Sequence, residues 1–278
     1  MNYLLIDKMI KEALIEDIPN EDISTTSIIE VDLKSEVNLI CKEDGIIAGL
    51  HIFKRVFDIL GEVEVILLKN DGDKIKKYEK IALLRGSTTN ILSGERVALN
   101  YLQRMSGIAT KTNKFVDKLK GSNTKLLDTR KTIPNLRMLD KYSVKIGGGV
   151  NHRFNLSDGV MLKDNHIEAA GGIKKAVELL RENASFVRKI EVEVENLDMV
   201  KEAVEVGADI IMLDNMDIDT AKEALKIINK KALVEFSGNV TLEKIEEISK
   251  IGVDYISVGE LTHSVKALDL SLKNLRNI

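Results

Sequence analysis

The stretch Ile190-Glu191-Val192-Glu193-Val194 alternates branched apolar side chains with acids, which is the period of a β-strand. Comparable apolar runs follow near residues 211, 233 and 255, at a spacing of about 22 residues. That spacing accommodates one strand and one helix. A series of such units predicts parallel strands joined by right-handed crossovers.

The chain after Gly121 contains six predicted strands. They lie at 124–128, 159–163, 187–194, 209–213, 231–236 and 253–258. A complete eight-stranded barrel needs ~250 residues, and only about 155 remain after Gly121. We therefore expect residues 108–278 to form an open or incomplete α/β barrel of six or seven parallel strands.

The first part of the chain has a different pattern. Val37, Leu39 and Cys41 alternate with polar residues, 63–67 alternates again, and 52–60 has helical spacing. These features predict a small N-terminal α/β sandwich domain over residues 1–107.

Helices are also predicted at 4–15, from Thr89 or Asn90 to a stop at Gly107, and from 108 to 120. We place the domain boundary between the last two helices.

Composition excludes several classes of protein. The 278 residues carry a net charge of −3, contain no Trp and are 4% aromatic, which disfavours a nucleic-acid-binding protein. No apolar stretch approaches the ~20 residues of a membrane helix, so we expect no membrane partner. The single cysteine, Cys41, cannot form an internal disulfide and is interpreted as a buried strand residue. We expect a cytoplasmic protein.

A cationic segment runs from Arg130 to His166, with seven Lys or Arg against three Asp in a chain that is acidic as a whole. Such a local excess indicates a small anionic ligand. Arginine offers a planar fork for carboxylate or phosphate, and lysine a mobile point charge. The three glycines 147–149 would let the backbone approach a ligand closely.

Polar residues follow the predicted strands. In α/β barrels the chemistry lies where strands end and loops begin. The residues at or just past predicted strand ends are Arg130, Lys163, Glu193, Asp214, Ser237 and Gly259. We expect them on one rim. The acids at 191, 193 and 195 share one strand face, and cations or a metal must meet those that are buried.

Three motifs carry a family resemblance: Asp128-Thr129-Arg130-Lys131-Thr132, Gly147 to Arg153, and Lys163-Asp164-Asn165-His166. They resemble the signature of nicotinate-nucleotide pyrophosphorylase (carboxylating), the quinolinate phosphoribosyltransferase family. The resemblance extends from Glu16-Asp17 to Leu261-Thr262-His263-Ser264. It implies a transferase of pyridine nucleotide biosynthesis that converts quinolinate and phosphoribosyl pyrophosphate (PRPP) to nicotinate mononucleotide, pyrophosphate and carbon dioxide. It also implies Mg2+ and a homodimer or larger homo-oligomer.

The resemblance also implies roles for individual residues. It assigns catalysis to Lys131, Lys163, Glu193 and Asp214 and substrate binding to these four and to Arg96, Thr129, Arg130, His152, Arg153, Ser237, Gly238, Asn239 and Gly259. Arg96 would reach the neighbouring subunit's site. Glu193 and Asp214 would meet magnesium, mainly through pyrophosphate and water.

Some positions depart from the family's pattern or stand outside it. Asn239 stands where the family commonly has Gly, but Asn tolerates a left-handed backbone. Glu260 replaces a small neutral residue, and an acid beside a phosphate is unfavourable unless it points away. Glu191 is expected to be a structural partner of a Lys or Arg, and His263-Ser264 is interpreted as structural.

A second hypothesis keeps the barrel without the chemistry. A related protein could serve as a binding or transport-accessory protein, as one molybdate-associated relative of the family does. Release of pyrophosphate and carbon dioxide separates the two hypotheses. The complete set of cations favours the enzyme.

Overall fold

The structure is a computed structural model that describes all residues from Met1 to Ile278. Its helices are α1 (Tyr3–Asp17), α2 (Ile23–Ile28), α3 (Leu50–Leu60), α4 (Thr88–Lys118), α5 (Arg137–Ile146), α6 (Asp164–Ala170), α7 (Ile173–Asn183), α8 (Leu197–Glu205), α9 (Ile218–Ile228), α10 (Ile245–Lys250) and α11 (Glu260–His263).

The strands in chain order are β1 (Lys34–Cys41), β2 (Gly45–Ile46), β3 (Val63–Leu67), β4 (Lys74–Ile75), β5 (Lys80–Ser87), β6 (Lys125–Leu127), β7 (Val160–Leu162), β8 (Ile190–Val194), β9 (Ile210–Asp214), β10 (Leu233–Ser237), β11 (Tyr255–Ser257) and β12 (Leu270–Asn277). No helix combines the length and the apolar character that crossing a bilayer needs.

The chain divides into two compact units. The first contains Met1–Asn113, Met138–Gly148 and Ser264–Ile278, and the second contains Lys114–Arg137 and Gly149–His263. The first division, after Asn113, lies close to the predicted boundary between residues 107 and 108, and two later segments of the chain also belong to the first unit.

The first unit has a four-stranded sheet in the order β12-β1-β5-β3. All three strand pairs are antiparallel, and β1 is paired on both sides. The alternation around Cys41 was interpreted correctly, since this residue is fully buried in β1. The contribution of β12 was not predicted. Cys41 lies opposite Leu270, so the end of the chain completes the N-terminal sheet.

Gly107 does not end a helix, contrary to the sequence prediction. Helix α4 is continuous through it, from Thr88 to Lys118. A Cβ atom at Gly107 would lie 2.3 Å from the carbonyl oxygen of Lys266. The absence of a side chain therefore lets the backbone at Lys266 approach the helix closely, which is a common reason for a glycine.

The second unit has a parallel sheet of six strands in the order β6-β11-β10-β9-β8-β7. The sequence predicted each of these strands, and the sheet confirms the incomplete α/β barrel. Along β8 the residues alternate: Val192 and Val194 are fully buried, and the acids point to the other face. Because Glu193 pairs with Met212 of β9, and Asp214 with Ser237 of β10, the polar strand ends are in register.

Candidate active site

A cleft of about 1030 Å³ lies at the carboxyl ends of the six parallel strands. It is large enough for two small substrates. Twelve of the thirteen predicted site residues line it: Thr129, Arg130, Lys131, His152, Arg153, Lys163, Glu193, Asp214, Ser237, Gly238, Asn239 and Gly259. The thirteenth, Arg96, is exposed on α4 and is not among the lining residues. Its contribution to a partner's site stays a prediction.

Cations line one side of the cleft because they follow the ends of β6 and β7. Arg130 and Lys131 come three and four residues after the end of β6, and Lys163 follows β7 directly. The Nε atom of Arg130 is buried and has no hydrogen-bond partner. An unsatisfied buried N–H group costs free energy, so this guanidinium is suited to an anionic ligand.

Arg153 supplies the second guanidinium. Its Nη1 donates to the carbonyl oxygen of Gly159 at 3.0 Å, which holds the side chain along the wall of the cleft. Burial and then the neighbouring charge of Arg130 lower the pKa of Arg153. Two arginines this close repel each other, and a dianion between them would relieve the repulsion.

The acidic side of the cleft comes from β8 and β9. Glu193 accepts a hydrogen bond from the ammonium group of Lys163, and its side chain is 11% exposed. Asp214 Oδ2 accepts from Asn215 Nδ2 at 2.7 Å. We expected cations to pair with the acids of β8, and Lys163 forms such a pair with Glu193.

The loop after β10 has the backbone that its residue types predict. Gly238 has φ +92° and Asn239 has φ +48°, so both adopt the left-handed conformation. Asn239 Nδ2 donates to Asn215 Oδ1 at 3.1 Å. A turn begins at Thr241, whose carbonyl oxygen accepts the backbone N–H of Ile245 at 3.1 Å, and helix α10 follows from Ile245.

His152 is held by two acids below the cleft. Its Nε2 lies 3.1 Å from Glu191 Oε2 and 3.3 Å from Glu235 Oε2. Burial disfavours a charge on His152, but the hydrogen bonds with both glutamates outweigh burial, raise its pKa and favour a proton on Nε2. The ring therefore keeps a proton on Nε2 at neutral pH.

The backbone N–H of Arg153 donates to Nδ1 of His152 at 2.6 Å. A protonated Nδ1 has no lone pair to accept this bond, so the contact opposes a second proton on the ring. Burial and the adjacent Glu235 raise the pKa of Glu191.

Three sequence interpretations need correction. Glu191 is paired with His152, rather than with a Lys or Arg, because the loop after Val150 brings the imidazole over β8. His263, interpreted as structural, lines the cleft from α11. The glycines 147–149 do not line the cleft, and a Cβ at Gly147 would lie 2.5 Å from the carbonyl oxygen of Ala109. This glycine permits close helix packing.

Asn215 and Lys244 are polar residues of the cleft that the sequence interpretation missed. Asn215 joins Asp214 to Asn239, and its backbone N–H also donates to the Ser237 carbonyl oxygen at 3.0 Å. Lys244 adds a cation beside the loop after β10. Its position seven residues after Ser237 was the only indication in the sequence that it lies near the cleft. That indication was too weak for a prediction, because a single lysine usually lies on the surface.

Comparison with known proteins gives the family. The model described as "Quinolinate phosphoribosyl transferase, N-terminal domain" matches residues 22–106, and the corresponding C-terminal domain model matches residues 108–273. A Bacillus subtilis (strain 168) protein named "Probable nicotinate-nucleotide pyrophosphorylase (carboxylating)" is 46% identical over 273 residues, covering 98% of this chain and 94% of that protein.

Two further relatives agree. A protein of the same name from Methanocaldococcus jannaschii is 45% identical, with 97% of both chains covered. The crystal structure of NadC from Streptococcus pyogenes has a TM-score of 0.97 and 44% identity, covering 100% of this chain and 99% of that one. The chain belongs to the quinolinate phosphoribosyltransferase family.

Proposed function

We propose that this enzyme transfers the phosphoribosyl group of PRPP to the ring nitrogen of quinolinate in de novo NAD biosynthesis. The products are nicotinate mononucleotide, pyrophosphate and carbon dioxide. The observation that carries the proposal is the buried, unpartnered Nε of Arg130, in a cleft that it shares with Arg153, Lys131 and Lys163. The names of the relatives agree with this reaction.

The diacid binds to the cationic side of the cleft. Arg130 and Arg153 present planar forks that match carboxylates, and Lys163 adds a point charge. Thr129 and Lys131 line the same wall. Thr129 Oγ1 accepts the backbone N–H of Lys131 at 3.1 Å, which shapes the turn that carries both cations after β6.

PRPP binds along the opposite side. The loop from Ser237 to Asn239, together with Gly259, receives the 5'-phosphate through backbone N–H groups. Glu193 and Asp214 face the ribose hydroxyl groups. These two carboxylates are oxygen ligands of the kind that Mg2+ prefers, and they come from adjacent strands, so the donor set fits that ion. Bound magnesium would neutralise part of the pyrophosphate charge.

The reaction needs no protein nucleophile. The bond between ribose C1 and pyrophosphate oxygen breaks, and the quinolinate nitrogen attacks the resulting electron-poor carbon. The new pyridinium ring then accepts the electron pair of the bond to the adjacent carboxylate, which leaves as carbon dioxide. A proton from water fills that ring position. Orientation of two reactants can lower a barrier by ~7 to 11 kcal/mol, and fixed charges supply the remaining stabilisation.

Assembly and location complete the proposal. A homodimer places Arg96, exposed on α4, in the partner's site. Exposed apolar side chains on the first unit, including Leu4, Ile15 and Ile28, support an interface between copies. The buried free thiol of Cys41 suits the reducing cytoplasm.

Turnover with quinolinate and nicotinate in parallel tests the function. We expect pyrophosphate and carbon dioxide in equal amounts with quinolinate, and neither with nicotinate. A preference for nicotinate would overturn the substrate assignment. Binding of both substrates without release of either product would favour the accessory-protein hypothesis.

A further inference from the structure

Three buried acids from different strands converge on the loop Asn151–Arg153. Asp128 directly follows β6, Glu191 lies in β8 and Glu235 lies in β10. Their exposed fractions are 0%, 3% and 1%. Buried carboxylates are costly unless they are paired, and the proposed reaction gives these three no direct task.

All three acids bind the loop and thereby connect it to the sheet. Asp128 Oδ1 accepts the backbone N–H of His152 at 2.9 Å, and its Oδ2 accepts Asn151 Nδ2 at 2.7 Å. Glu191 and Glu235 meet His152 Nε2 at 3.1 and 3.3 Å. The loop that presents Arg153 to the cleft is thus fixed from β6, β8 and β10.

The two ring nitrogens of His152 have opposite roles. Nδ1 accepts the Arg153 backbone N–H at 2.6 Å, so it carries a lone pair and Nε2 carries the proton. His152, Glu191 and Glu235 have ligand atoms within 4.8 Å of one another, as a metal site would. A metal on Nε2 would require the opposite tautomer, with a proton on Nδ1. The geometry therefore suits a hydrogen bond rather than a metal ion.

We propose that Glu191 and Glu235 are positioning residues for diacid binding. They orient the His152 ring, whose Nδ1 fixes the Arg153 backbone and so sets the direction of its guanidinium group. The identity of the diacid rests on the function proposed above. Fixing an arginine before binding removes part of the side-chain entropy that binding otherwise costs.

The proposal predicts an effect confined to one substrate. Glu235→Leu removes an acceptor at similar size, and we expect the KM for quinolinate to rise about tenfold. The KM for PRPP should change less than about twofold, because the substitution leaves the loop after β10 in place. The factor by which kcat changes should be smaller than the factor by which the quinolinate KM changes. Glu235→Gln keeps an acceptor oxygen, so its KM for quinolinate should be close to that of the wild-type enzyme. Equal increases in both KM values would overturn the proposal.

A nitrogen-15 spectrum of the imidazoles tests the geometry without turnover. The chain has four histidines, and a His152→Gln sample identifies the signals of interest. We expect a protonated Nε2 and an unprotonated Nδ1 in the wild-type protein at neutral pH, with Nε2 altered in Glu235→Leu. A protonated Nδ1, or stoichiometric zinc found by elemental analysis, would refute the proposal. The wild-type spectrum decides this even if Glu235→Leu does not fold.

The two proposals can fail separately. Absence of quinolinate turnover in the wild-type protein, with the expected tautomer present, would refute the function and leave the positioning geometry intact. Normal quinolinate turnover with a protonated Nδ1 on His152 would support the function and refute the positioning role.

Discussion

Lys163 donates a hydrogen bond from its ammonium group to a carboxylate oxygen of Glu193, between the paired strands β7 and β8. The lysine side chain is 42% exposed and the glutamate side chain 11% exposed. The acid is therefore enclosed, and the cation above it remains open to the cleft. In the proposed function, the lysine faces the diacid and the glutamate faces the ribose.

Replacing Lys163 with alanine should abolish turnover while the fold is retained. The change removes a cation from the diacid site and leaves Glu193 unpaired in an enclosed position, so we expect a loss of about a hundredfold or more in kcat/KM. Lys175→Ala, which removes an exposed lysine on α7, is the matched control. Steady-state kinetics and circular dichroism measure both effects. A near-normal rate for Lys163→Ala would contradict this role.

Replacing Arg130 with alanine should also eliminate turnover, because the guanidinium fork of a residue that lines the cleft is lost. Arg130→Lys keeps the charge without the planar fork and should recover only a small part of the rate. The control is Arg181→Ala, an exposed arginine that donates to the Gly207 carbonyl oxygen. A calorimetric titration with quinolinate measures the affinity directly. Unchanged affinity in Arg130→Ala would remove this residue from the site.

Gly238→Ala should weaken PRPP binding. Both Gly238 and Gly252 have positive φ, +92° and +91°, so alanine costs ~1–2 kcal/mol of backbone strain at either position. A Cβ at Gly238 would also lie 2.7 Å from the Asn215 backbone nitrogen, whereas Gly252 has open space. We expect Gly252→Ala to lower the thermal stability less than Gly238→Ala does, and we expect a rise in the PRPP KM only for Gly238→Ala. Equal KM values in the two variants would exclude a phosphate role for this loop.

Asp214→Asn should raise both the PRPP KM and the magnesium concentration needed for half-maximal rate. Loss of a charged acceptor weakens binding by about tenfold or more. Asp219→Asn is the control, since Asp219 is a surface residue of α9 with a 91% exposed side chain. The measurement is the reaction rate over a range of magnesium concentrations, and a sample with a chelator gives the rate without free magnesium. An unchanged magnesium dependence in Asp214→Asn would refute the contact.

Asp71 should make the first unit sensitive to acid. This carboxylate accepts bonds from Tyr142 Oη at 2.7 Å and from the backbone N–H groups of Gly49 and Leu50 at 3.0 and 2.9 Å. Burial raises the pKa of Asp71, but its bonds with His51 and these donors outweigh burial and lower it. Its stabilisation is therefore present above the unfolded-state pKa of about 3.9 and is lost as the pH falls below that value.

Denaturant unfolding between pH 3 and 7 tests this dependence. Asp71→Asn should reduce the free energy of unfolding by ~2 kcal/mol at pH 7 and flatten the acid part of the curve, while Tyr142→Phe should cost ~1 kcal/mol. An acid limb of the same steepness in Asp71→Asn would assign the sensitivity to other carboxylates.

The sequence predicted the barrel because its signals are local. Each parallel strand is an apolar run, and the 22-residue spacing that begins at Ile190 records one strand and one helix per unit. The strand ends predicted that the rim residues lie together, whereas the family resemblance supplied their roles. The pairing of β12 with β1 was out of reach, since the partners are more than 200 residues apart and neither pattern encodes the other.

The errors share a physical origin. Gly107 and Gly147 were interpreted as backbone signals, but their role depends on atoms of distant segments, such as the Lys266 and Ala109 carbonyl oxygens. The partner of Glu191 depends on how a loop crosses the sheet. Side-chain periodicity identifies the face on which an acid lies, whereas only the folded chain identifies the group that it meets.

The pairing of β12 with β1 has a consequence for synthesis. Because β1 is made more than 200 residues before β12, one of its edges has no partner until Leu270–Asn277 has been added. An unpaired strand edge tends to pair with other chains. A fragment that stops before Leu270 should therefore aggregate more readily than a chain that includes β12.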